Sequence, residues 1–269
     1  MLKATIMLCI ITLTVYLIDT FAYSLKLVIY RNKQYSLTGA TFNIVSFFSK
    51  FALMFQAPLL GMLIDINIRA NTFPEKDFRL IILCASLGVI IAIILLPSFI
   101  NIFTKVVDYT SKEGSLIKTG IKVVKPESIK GIRRLIRQPK FLDALKILDL
   151  GKYKWILLLN LLVTGIHTIG ILSSYYGALY LPEARLSIAG FSGSINSIAS
   201  IVLIFLIEPR VSMICDSVYK GKENYEELKL LVMILVMSKF LGTIIAQILF
   251  IPGSKWVVLV YKILVGMEI

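Results

Sequence analysis

The stretch "LIILCASLGVIIAIILLPSFI", residues 80–100, runs for 21 residues without a charged side chain. At about 1.5 Å of rise per residue, a helix of that length matches the roughly 30 Å hydrocarbon core of a bilayer. The rest of the chain has the same character, with 57% of its 269 residues hydrophobic and 17% charged, and a mean hydropathy of +0.84. A soluble domain of this size carries more charge and shorter apolar runs. The fold class that follows is all-α, a polytopic membrane protein. Helices satisfy their own backbone polar groups in lipid, and the alternating pattern of a membrane barrel is absent.

Five further runs join the first, giving spans at about 4–28, 37–66, 80–103, 154–181, 187–207 and 228–251. The first run is long for a signal peptide, and Asp19 stands where small residues would lead to cleavage, so a retained span is expected. The short apolar tail at 252–269 is expected to lie at the interface or to re-enter. The segments after spans one, three and five hold nineteen Lys and Arg residues, and the opposite side holds seven. The positive-inside rule then places 104–153 in the cytoplasm and both termini outside the cell. Within that segment Ile129, Ile132, Leu135 and Ile136 recur at helical spacing, as do Phe141, Leu142, Leu145 and Leu148 after Pro139. Amphipathic helices on a leaflet of anionic lipids fit this pattern. No aromatic-and-basic groove pattern points to nucleic acid.

A charge inside a span costs roughly 2.5–3.5 kcal/mol on insertion scales, so each intramembrane polar residue is a candidate for function. Five spans carry them: Asp19; Asn43, Lys50 and Gln56; Asn160 and His167; Asn196; Lys239 and Gln247. Span three carries none and is expected at the lipid-facing periphery. Asp19, Tyr23 and Lys26 fall on one helical stripe. Counted from Gln34 in the first hairpin, Asp19 lies fifteen residues back and Lys50 sixteen forward, while Lys26 lies eight back and Asn43 nine forward. Equal depth therefore pairs Asp19 with Lys50 and Lys26 with Asn43.

Each has a plainer reading. Lys26 could snorkel to the headgroups, and Asp19 with Lys50 could be an inert salt bridge. Gln56, Asn196 and His167 could be hydrogen-bonded helix contacts. Lys239, eleven residues into its span, is too deep to snorkel easily and is expected to face a cavity. Pro58 predicts a kink in span two. Ala189, Gly193 and Ser197 repeat every four residues, a small-residue seam suited to close helix or subunit contact. Glu208 and Arg210 flank Pro209 and read as a local ion pair at the cytoplasmic boundary. The three cysteines are widely spaced and there is one histidine, so no metal, cofactor or disulfide framework is expected. No catalytic or nucleotide-binding motif is present, and the chain is not read as an enzyme.

The block "YLIDTFAYSLKL" at 16–27, followed by "FNIVSFFSKFALMFQAPLLGMLID" at 42–65, resembles the N-terminal half of the Amj family, the alternate lipid II flippases of bacteria. The block "SGSINSIASIVLIFLIEPRVSMICDSVYKGK" at 192–222 resembles the segment around that family's fifth span. The resemblance implies movement of undecaprenyl-diphosphate-linked peptidoglycan precursor, lipid II, from the inner to the outer leaflet of the bacterial cytoplasmic membrane, in support of cell-wall synthesis. Such cargo suits a laterally open groove in which cations meet the diphosphate. Asp19, Tyr23, Lys26, Asn43, Lys50, Gln56, His167, Asn196, Arg210 and Lys239 are the residues expected to bind or pass it. Six spans enclose little space for so large a headgroup, which points to a homodimer. The competing classes are a small-solute transporter or channel, a membrane scaffold built on the basic segment, and an intramembrane enzyme acting on polyprenyl phosphates.

Overall fold

The computed structural model describes residues 2–114, 119 and 151–266, apart from the side chains of Tyr35 and Lys50. The amphipathic helices expected within 104–153 therefore fall largely outside the described residues. Six helices are long and apolar enough to cross a membrane: Leu2–Asn32, Ser36–Ala70, Glu75–Glu113, Lys154–Gly177, Pro182–Tyr219 and Tyr225–Val265. They are called spans one to six here. Among the described residues there is no strand, and the all-α polytopic fold read from hydropathy is the observed one.

Lipid tails are as apolar as leucine, so helices in a bilayer associate through close packing and hydrogen bonds rather than by escaping solvent. Spans four and six form the central pair on those terms. A Cβ on Gly242 would lie 2.7 Å from the Leu161 carbonyl oxygen, so only glycine lets the two backbones touch there. Asn160 Nδ2 donates to the Leu235 carbonyl at 3.0 Å and to Ser238 Oγ at 2.7 Å. Farther along, Ser173 Oγ donates to the Phe250 carbonyl at 3.0 Å. Phe78 of span three stacks on Phe250 with centroids 5.6 Å apart, and Tyr176 of span four meets Phe250 edge-on at 5.0 Å. All three rings are buried.

Span three presents one face outward, in keeping with its lack of strongly polar residues, and packs into the bundle with the other. A Cβ on Gly88 would run into the Leu13 carbonyl, so the span lies directly against span one. Ala85, Val89 and Ala92 are buried. Ser86 Oγ donates to Thr243 Oγ1 at 2.9 Å, and Gln247 Nε2 donates to the Arg79 carbonyl at 2.9 Å, which fixes the helix to span six. Its other face, with Leu80, Leu83, Leu87, Ile91 and Ile94, is exposed. Small residues, rather than polar ones, decided its place.

Three spans are interrupted. Span one consists of helices Leu2–Phe21 and Ser24–Asn32, joined through Ala22 and Tyr23 by tightened bonds from Tyr23 N to the Thr20 carbonyl and from Leu25 N to the Ala22 carbonyl. Span two breaks at Phe55, between Tyr35–Met54 and Gln56–Ala70. Pro58 has no N–H for the Met54 carbonyl, which accounts for the break. Span five contains helix Arg185–Val202, a π-helical turn at Leu203–Ile207, and helix Glu208–Tyr219. Span six runs from Tyr225 to Val265 as one helix with Pro252 inside it. Residues 252–265 thus continue the sixth helix and do not form a separate interfacial or re-entrant piece.

Candidate translocation groove

Asp19 sits in the last turn of the first half of span one, three residues ahead of the break. Its Oδ2 is bonded by Lys239 Nζ of span six. The Lys239 side chain is 5% exposed and that of Asp19 is 48% exposed, so the pair has a buried cationic end and an open anionic end. Lys239 Nζ also lies over the rings of Tyr23, at 5.3 Å from the centroid, and Tyr16, at 5.8 Å. Two aromatic faces add attraction for a desolvated ammonium. Tyr16 OH donates to Thr168 Oγ1 of span four at 2.6 Å, and Thr168 Oγ1 donates to the Thr164 carbonyl at 2.7 Å. Spans one and six therefore meet at one ammonium group, and Tyr16 ties that meeting point to span four.

The partner expected for Asp19 was Lys50, whose side chain lies outside the described residues. Among the described residues, the cation that Asp19 meets comes from span six. Lys26 meets Glu208 at 3.7 Å and lies over the Phe42 ring at 5.4 Å, rather than meeting Asn43. Asn43 is exposed on a face of span two that also presents Phe47, Phe51 and Met54. Glu208 reaches across to span one, so among the described residues it forms no local pair with Arg210, which is exposed. At the other end of the bundle, Arg185 Nε of span five meets Asp65 Oδ1 of span two at 3.3 Å. In the sequence, Arg185 counts only among the seven basic residues of the outer side.

The amides and the histidine make helix contacts. Gln56 is buried and its Nε2 donates to Thr12 Oγ1 of span one at 3.2 Å. His167 Nε2 lies 3.5 Å from Ser200 Oγ, linking spans four and five. Asn196 presses its Oδ1 against Gly170, where any side chain would collide with it. That oxygen is buried without a hydrogen-bond partner. Gly193 of span five has open space where a Cβ would stand, so part of the small-residue seam is unfilled within one copy of the chain.

The site is thus a charged seam at membrane depth. Span one is tied to span six by Asp19–Lys239 and to span five by Lys26–Glu208, and span two is tied to span five by Asp65–Arg185. Arg185 and Glu208 are 23 residues apart, about 34 Å along a helix and close to the thickness of the hydrocarbon core. Among the described residues no group of acids, cysteines and histidine could hold a metal.

Fold and seam together define a multi-pass helical membrane protein with ion pairs inside its bundle. The chain belongs to the Amj family, described as "Alternate to MurJ", whose model matches residues 11–261. It is similar to the lipid II flippase Amj of Bacillus subtilis (strain 168), with 32% identity over 248 residues, covering 91% of this chain and 92% of that relative. No solved structure matches the chain.

Proposed function

We propose that this protein is a lipid II flippase of the bacterial cytoplasmic membrane, with both termini outside the cell, and that it acts as a transporter without breaking a bond in its cargo. The observation that carries the mechanism is the asymmetric Asp19–Lys239 pair, whose ammonium is buried and whose carboxylate is half open. A buried ammonium stripped of its partner costs several kcal/mol, whereas exchange of one anion for another keeps it neutralised throughout. A diphosphate arriving through the groove displaces Asp19 from Lys239 instead of breaking the pair outright. Asp19 then turns toward the space it already faces. The polyprenyl tail stays in lipid while the head passes between the spans.

Lys26, and Lys50 in span two, supply further positive charge along the same route. Tyr23 holds the ammonium from the aromatic side, and the basic segment 104–153 with Arg210 gathers anionic lipids at the cytoplasmic surface. Two copies of the chain meet along the unfilled seam of span five. The test is leaflet-resolved accessibility of lipid II in cells that depend on this protein alone. Lys239→Ala at matched protein level is expected to leave the precursor in the inner leaflet, and normal outward movement in that variant rules the mechanism out.

A further inference from the structure

Apart from the Lys239 seam, the structure holds a cavity of about 440 Å³ between spans two, four and five. Its size is within the roughly 300–1,000 Å³ of small-molecule sites. Gly61 and Gly190 leave its walls thin, Tyr175 lines it from span four, and Ser192, Asp65 and Arg185 supply its polar groups. The Asp65 and Arg185 side chains are each half exposed, so both present hydrogen-bonding atoms to an incoming ligand as well as to each other.

From these residues we infer that the cavity is a binding site for the sugar portion of the cargo on the outer side of the membrane. The inference rests on the flippase reading and on the proposed orientation. The paired charges of Asp65 and Arg185 cancel, so the cavity has no net attraction for an anion such as the diphosphate. A lipid tail would leave both charges desolvated, which is costly. A hydroxylated ring suits them, because the carboxylate only accepts and the guanidinium only donates, while a hydroxyl does both. The Tyr175 ring adds an apolar surface for the C–H face of a sugar. The site lies at the far end of span five from Glu208, so it receives the head after it has passed Lys239.

The test compares two probes on the purified full chain in lipid nanodiscs: undecaprenyl diphosphate, and the same lipid carrying the disaccharide without peptide. The wild type is expected to bind the sugar-bearing probe about tenfold more tightly, equivalent to about 1.4 kcal/mol. Gly190→Leu, which fills the cavity from a position with open space around it, and Arg185→Met are each expected to reduce that difference below about twofold. Binding of the bare diphosphate should be unchanged in Gly190→Leu. Equal binding of the two probes by the wild type, or a sugar-dependent gain that survives in both variants, overturns the site. Translocation of the sugar-bearing lipid by the wild type in liposomes separates the two ideas. If it proceeds, only the site has fallen, and if it does not, the flippase reading falls with it.

Discussion

Lys239 and Asp19, 220 residues apart in sequence, form an ion pair in which the ammonium is buried and the carboxylate is half open. This unequal burial means the two residues are not equivalent partners, and their loss has different consequences.

Asp19→Ala strands a buried ammonium, and Lys239→Ala strands a carboxylate that is already half open. Breaking a buried pair from the side that leaves its charge enclosed costs about 3–5 kcal/mol. The reverse loss leaves a carboxylate that is already half open, and should cost less. Thermal unfolding of the purified variants in detergent should show Asp19→Ala with the lower midpoint by several degrees. Equal midpoints would mean that the burial difference carries no energy.

Two of the cations on the proposed route can be ranked by translocation. Lys239→Ala removes the group that pairs span six with span one, and its rate should fall at least about tenfold, equivalent to about 1.4 kcal/mol. Lys50→Ala is expected to cause a smaller loss at matched protein level. A larger loss at Lys50 in proteoliposomes would move the diphosphate contact to span two.

The ion pairs at the two ends of span five are partly exposed and should contribute only about 0–1 kcal/mol to stability. Their effect is expected in transport. Glu208→Lys should slow translocation about fivefold or more with the unfolding midpoint nearly unchanged, and adding Lys26→Glu should restore most of the rate. A double variant no better than the single one would show that Lys26 and Glu208 do not act as a pair.

Gly88→Leu tests the packing of span three on span one. There is no room for even a Cβ beside the Leu13 carbonyl, and overpacking of this kind costs about 1–3 kcal/mol. The unfolding midpoint should drop accordingly, whereas Gly193→Leu, at an open position, should leave it unchanged in the single chain.

The span count and the choice of Asp19 and Lys239 as special were legible because hydropathy and intramembrane charge are local signals. Their pairing was not, because depth was counted only within the first hairpin. Asp19 lies 13 residues from the end of its span at Asn32, and Lys239 lies 14 from the start of its span at Tyr225. The two residues therefore sit at nearly equal depth from the same side of the membrane. Tyr16 stands three places before Asp19 on the same stripe, but an aromatic ring within a span carries no local mark of a role. The role of Arg185 was hidden for another reason. Near the membrane surface a guanidinium carries a vote on topology, and nothing local in the sequence says which acid it will meet.

Spans three, four and six are each one continuous helix, and spans one, two and five are each jointed. Every ion pair of the seam has at least one end on a jointed span, and two of the three have both. The bundle is therefore a rigid frame carrying three articulated struts. With joints at Tyr23, Phe55 and Leu203–Ile207, a strut can bend on one side of the bilayer while its other half keeps its contacts. In the proposed function, the leaflet that the groove faces would change by bending these walls in place, with no need to swing one half of the molecule against the other.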